Sequence, residues 1–192
     1  ILQKYGGKSQ GDMFITCATI AQSYLLLITS SMIGISGGTQ AILSYNYGAR
    51  RADRVKDAEK NILGVMLIFT TIMFLLSRLV PRYFVLLFTS DPQYISFSVW
   101  AIHTYTLMII PLSFQYVFVD GLTALDRPKT GLALSVTRKS LFVLSAAILP
   151  VFFDAKAAFF AEPVADGVCS VLSTVVFLLL INRHLQKRCQ TV

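Results

Sequence analysis

Long stretches without a charged side chain set the pattern of this chain. Residues 13–49, between Asp12 and Arg50, carry none, and neither do 61–77 nor 92–119. From Thr130 to Asp154 the run is broken only by Arg138 and Lys139, and from Pro163 to Asn182 only by Asp166. A helix needs about 20 apolar residues to cross about 30 Å of hydrocarbon. The pattern therefore predicts an all-α, polytopic membrane protein with five transmembrane helices, at about 12–44, 61–80, 95–120, 130–153 and 163–182.

The segments between these runs predict the connections. Gly6, Gly7 and Gly11 make residues 1–11 a loop. Gly34, Gly37 and Gly38 in the first span let a neighbouring helix come close or let the helix bend. Residues 50–60 (RRADRVKDAEK) read as a solvated amphipathic helix leading into the second span, which Pro81 ends. The run YFVLLF at 83–88 is too short to cross and suits the interface. Pro111 removes one backbone hydrogen bond and predicts a kink within the third span. Asp126 to Lys129 is a tight loop, 154–162 a short one, and the tail from Asn182 is basic and exposed.

Composition narrows the class. Only 14% of the residues are charged and 55% are hydrophobic, whereas a soluble domain carries about 25% charged residues. Both a cytosolic enzyme and a disordered chain are excluded. The net charge of +7 fits basic cytoplasmic loops rather than nucleic acid. Ten Lys and Arg fall on the side holding 50–60, 127–129 and the tail, and five on the other. That asymmetry puts the C-terminus in the cytoplasm. Cys17, Cys169 and Cys189 form neither a disulfide framework nor a zinc pattern. No nucleophile elbow, P-loop, HExxH or dinucleotide fingerprint occurs, so no enzyme is expected and no ATP-driven step. The chain opens on Ile1 with no signal peptide, and reads as an excerpt of a longer protein.

The segment GISGGTQAILSYNYGARRADRVKDAEK (34–60) carries a resemblance. Gly37, Gly38, Gln40-Ala41, Asn46, Tyr47, Gly48 and Ala49, followed by Arg50, Arg54 and Lys56, resemble a membrane helix and loop of MATE (multidrug and toxic compound extrusion) transporters. Ala41 departs from that family's usual proline. The segments 111–129, 132–150 and 161–173 resemble its tenth, eleventh and twelfth helices in order. The resemblance implies residues 1–192 are about helices eight to twelve of twelve, most of the C-terminal lobe. It implies an inner-membrane antiporter that exports drug-like organic cations against H⁺ or Na⁺, by rocking of two lobes around a cleft. Membrane lipids and the missing N-terminal lobe are the implied partners, with no cofactor beyond the coupling ion and no nucleic acid. A flippase for lipid-linked oligosaccharides, from the same superfamily, and an inactive truncated membrane protein are the alternatives. A sodium-coupled branch carries a carboxylate where Leu112 stands here.

Individual residues carry two readings each. Gly48 ends its helix in a left-handed turn, with Asn46 and Tyr47 at the interface, or the three form a cytoplasmic gate. The Gln40 amide, about two turns deeper, finds a partner on another helix or on a substrate. Gln115 and Ser113 lie one to two turns deeper than Asp120, beside the carbonyl that Pro111 frees, where they line a cation path. Arg138 and Lys139 snorkel to the cytoplasmic interface, or Arg138 faces the bundle and closes the cavity. Asp166 sits near the outer interface as a cap of the last helix, or as a cation site, apart from Arg138 in depth and in role. His103 reads as a satisfied interior histidine.

Overall fold

The computed structural model describes the backbone from Leu2 to Cys189 and the side chains of residues 11–181. Helix α1 runs over Leu2–Gly48, α2 over Ala52–Leu79, α3 over Pro81–Val85, α4 over Pro92–Tyr105, α5 over Ile109–Ala124 and α6 over Pro128–Phe152. A 3-10 turn at Ala155–Phe160 leads into α7, Ala161–Cys189. Gly11–Gly48, Ala52–Leu79, Pro128–Phe152 and Ala155–Ile181 are each long and apolar enough to cross a membrane. Helices α4 and α5 meet that test together, as one span bent by 47°. Four helices, and a fifth span if the bent pair counts as one, thus match the charge-free runs in length and apolarity, with no strand among the described residues.

The boundaries differ where local rules compete. Residues 2–11 continue α1 instead of forming a loop. A glycine costs about 1 kcal/mol in a helix interior, but extending an existing helix gains a hydrogen bond per residue without a new nucleus. Helix α1 also runs unbroken through Gly34, Gly37 and Gly38, where an added Cβ would meet nothing within 4 Å. The amphipathic segment 50–60 and the second span are one helix, α2, whose buried stripe is Val55, Glu59, Ile62, Met66, Thr70 and Ser77. The bend anticipated from Pro111 lies at 106–108, between α4 and α5. A proline at 111 cannot bond the carbonyl of residue 107 and crowds it, so the ladder fails one turn upstream of the ring.

Helices α1 and α5 end alike. Arg50 (φ 57°) and Asp126 (φ 62°) are left-handed, and the next amides donate back across six residues, Arg51 to Asn46 O at 3.0 Å and Arg127 to Leu122 O at 2.9 Å. This is the Schellman closure, which satisfies carbonyls a helix end leaves open. The left-handed position falls on Arg50, not on Gly48, which stays helical. The two helices run parallel and in register. Ser36 Oγ donates to Tyr116 O at 3.2 Å, and eight residues on, Ser44 Oγ donates to Ala124 O at 3.3 Å.

Helix α5 is the hub, packed by α1, α2, α6 and α7. Helix α6 lies outermost and exposes Leu132, Val136, Val143, Leu144 and Ile148. Such a face suits contact with lipid, where apolar exposure costs nothing and backbone groups are satisfied within the helix. The 3-10 turn is not a surface loop. Phe159 is buried among Phe14, Phe97, Trp100 and Tyr105, with ring centroids 5.3–6.5 Å away. That plug draws residues 155–160 down into the bundle, which fixes the depth of everything on α7.

Candidate functional site

One face of α6 is built for a close approach. An added Cβ at Gly131 would stand 2.9 Å from Thr123 Oγ1 and 3.0 Å from Val119 O, so only glycine lets α6 lie this near to α5. Two turns on, on the same face, Arg138 points into the bundle, while Lys139 is exposed. Arg138 Nη1 donates to Asp166 Oδ1 at 2.8 Å and lies 3.8 Å from Glu162 Oε1. Its guanidinium carbon is 5.7 Å from the centroid of the Tyr116 ring. Glu162 and Asp166, four residues apart on one face of α7, are 4% and 1% exposed. Asp166 Oδ2 is buried and meets no hydrogen-bond donor among the described residues. One guanidinium thus faces two almost wholly buried carboxylates.

This pairing corrects the expectation that Arg138 and Asp166 lie at different depths with separate roles. Reading 154–162 as a flat loop started the last span at Pro163 and left Asp166 near the outer interface. The span begins at Ala155, and six 3-10 residues plus five α-helical ones carry Asp166 about 20 Å inward. Arg138 stands ten residues into α6, about 15 Å from the opposite side. Both meet near the middle of a core about 30 Å thick. Asp166 is therefore not a cap of the helix terminus, and Arg138 does not snorkel.

Beside the ion cluster a cleft of about 190 Å³ opens between α1, α5 and α6, lined by Gln115, Tyr116, Asp120, Ser135, Arg138 and Lys139. Three of the sequence candidates, Gln115, Asp120 and Arg138, converge there, and Asp166 joins them through Arg138. Gln115 is buried, and its Oε1 meets no donor among the described residues. Ser113, two residues earlier, turns its hydroxyl to the Ile110 carbonyl instead. The remaining candidates lie elsewhere. Gln40 is half-buried on α1 between Ser36 and Ser44. Asn46 donates to Ile42 O at 2.8 Å, Tyr47 is buried, and Gly48 is exposed at the end of α1. The described residues hold no group of three His, Cys, Asp or Glu able to bind a metal.

Two buried acids escaped the sequence reading. Glu162 stands one turn before Asp166, and that four-residue spacing was its signal. Glu59 looked solvated within a mixed-charge segment, yet it is 5% exposed, with Oε1 unpartnered among the described residues. It packs on α5 where Gly121 has no side chain; an added Cβ there would fall 2.5 Å from Glu59 Oε1. His103 is half-buried rather than satisfied, since its Nε2 meets no partner among the described residues. Leu112 is fully buried in α5.

Comparison with known proteins places this geometry. A family model described as MatE matches residues 5–149. An FAD transporter of Shewanella oneidensis is 26% identical over 136 residues, which is 71% of this chain and 29% of that protein. Solved structures agree in fold. A MATE in the bent conformation superposes with a TM-score of 0.87 at 14% identity, over 98% of this chain and 42% of that one. The inward-facing conformation of a multidrug resistance MATE family transporter of the MOP superfamily gives 0.84 at 15% identity, over 100% and 43%. The chain thus spans less than half the length of the proteins it matches.

Proposed function

The chain belongs to the MatE family of membrane transporters, and from that premise we propose that it forms most of one lobe of a secondary antiporter exporting drug-like organic cations against H⁺ or Na⁺. The observation that carries this reading is the charge balance of the buried cluster. Arg138 is met by Asp166 at 2.8 Å and Glu162 at 3.8 Å, which leaves one carboxylate in surplus. A surplus charge in the hydrocarbon core is costly, and a cation or a proton relieves it. The adjoining cleft of about 190 Å³ is smaller than the about 300 Å³ at which ligand pockets begin. It supplies one end of a substrate site that a second lobe completes. The same balance argues against an oligosaccharide-lipid flippase, whose anionic substrate calls for a strongly cationic cavity. No enzymatic step is needed, and the cytoplasmic C-terminus inferred from loop charges belongs to the same proposal.

The test is ethidium flux in proteoliposomes holding the protein as its gene encodes it. An imposed proton or sodium gradient is expected to drive uphill accumulation. Flux that responds to neither gradient contradicts antiport.

A second reading rests on the similarity to the FAD transporter, which points to an anionic flavin nucleotide as substrate. Lys139, exposed at the cleft, supplies a charge for it. Competition decides: FAD that inhibits ethidium flux at lower concentration than tetraphenylphosphonium favours the nucleotide.

A further inference from the structure

We propose that Glu162 and Asp166 share one exchangeable proton and form, with Arg138, the coupling site of this lobe, on α6 and α7 rather than on α5. This rests on the organic-cation reading and names the ion and its place.

The site is built rather than incidental. Asp166 is 1% exposed, and its Oδ2 is turned to a position with no donor among the described residues. Glu162 is 4% exposed and reaches Arg138 at 3.8 Å, against 2.8 Å for Asp166. Arg138 therefore balances one carboxylate fully, and the second needs its own positive charge. A metal ion is a poor candidate, because a fixed guanidinium on the same two carboxylates repels it. The oxygen-rich shell such ions take is also missing: no cluster of three acidic or metal-ligating side chains occurs among the described residues. A proton adds charge without volume and turns a carboxylate into a donor, so that one oxygen of the pair bonds another acceptor nearby.

The other groups around the pair fit this role. Lys139 on α6 faces outward, Asp120 on α5 lines the neighbouring cleft, Cys169 lies buried on α7, and the Tyr105 and Tyr116 hydroxyls on α4 and α5 lie within electrostatic reach. Lys139, the one permanent cation among them, acts on Glu162 and Asp166 from outside the cluster, at the exposed side of the cleft.

Exchange then balances. With one proton on the pair, the cluster of Arg138, Asp166 and Glu162 is neutral. A monovalent organic cation reaching the cleft is compensated when the pair gives up that proton, which leaves through the cleft past Gln115 and Asp120. One cation enters as one proton departs, and the buried charge is unchanged. Because two coupled carboxylates share the proton, the step belongs to the pair rather than to either residue.

Calorimetric binding of tetraphenylphosphonium to the full protein in detergent, repeated in buffers of different ionisation enthalpy, counts the protons released. The wild type is expected to release one proton per cation bound, so its affinity rises tenfold per pH unit. Glu162→Gln and Asp166→Asn are each expected to release none and to bind independently of pH, while Asp154→Asn, a carboxylate outside the cluster, still releases one. Folding is checked by size-exclusion elution. Should Asp166→Asn fail it, the triple variant Arg138→Gln, Glu162→Gln and Asp166→Asn, which leaves no ionisable group in the cluster, is expected to release none in its place. A count of one that persists in Glu162→Gln overturns the shared-proton site while leaving the cation reading intact. A wild type that binds with no proton release does the same, and a wild type that binds no cation overturns that reading and this site together.

Discussion

Helix α5 buries a carboxylate on each of two faces, and the two are handled in opposite ways. Toward α6 and α7, Asp166 is answered by a charge, with Arg138 at 2.8 Å. Toward α2, Glu59 is answered by space: Gly121 removes a Cβ that would stand 2.5 Å from its Oε1, and that oxygen has no partner among the described residues. A buried pair is held as a unit, so losing one member strands the other. A lone buried acid is a cost the rest of the packing absorbs. The same residue type at similar burial should therefore respond to substitution with opposite signs.

The largest effect is expected at the compensated site. Arg138→Leu leaves the buried pair of Glu162 and Asp166 without its cation and should cost about 3–5 kcal/mol, read as loss of the monodisperse peak or a lowered midpoint on heating in detergent. Next comes the reverse case. Glu59→Met removes an unpartnered buried acid and keeps the volume, and is expected to stabilise by about 1–3 kcal/mol, the cost of burying a polar group without a partner; a lowered midpoint would equate the two acids and break the contrast. Gly131→Ala should cost about 1–3 kcal/mol, because the Val119 carbonyl it meets at 3.0 Å is backbone and cannot swing aside. Gly121→Ala should cost less, since Glu59 is a side chain, and combining it with Glu59→Ala should abolish the loss. Smallest is Ser77→Ala, which removes the 3.0 Å bond between the Ser77 and Thr106 hydroxyls at the break between α4 and α5. Interhelical polar contacts within membranes average about 0.6 kcal/mol, so a shift of a degree or two in midpoint is expected.

The contrast also marks where sequence reasoning reaches. Charge-free runs such as 13–49 and 92–119 coincide with the helices long and apolar enough to cross, because the cost of a charge in hydrocarbon is a local property of a segment. Pro111 announced its bend for the same reason, since the missing amide belongs to that residue alone. Partnership was harder. Arg138 and Asp166 were both visible as charges inside spans, but their common depth depends on Phe159 drawing the 3-10 turn inward, a contact with residues 14 and 97 far along the chain. Glu59 was misplaced because its helix alternates acids and bases like a solvated surface, and only Gly121, 62 positions away, makes room for it. Gly48 looked like the left-handed residue by type, whereas that position falls two residues on, at Arg50.

The claim on which the rest turns is that Arg138 and Asp166 are one buried unit linking α6 to α7. A double-mutant cycle in detergent, with Arg138→Leu, Asp166→Leu and the two combined, measures it directly. The combined variant should be more stable than either single one, with a coupling at the upper end of the about 0.5–3 kcal/mol found for residues in contact. Losses that simply add would mean that the two side chains do not share a site.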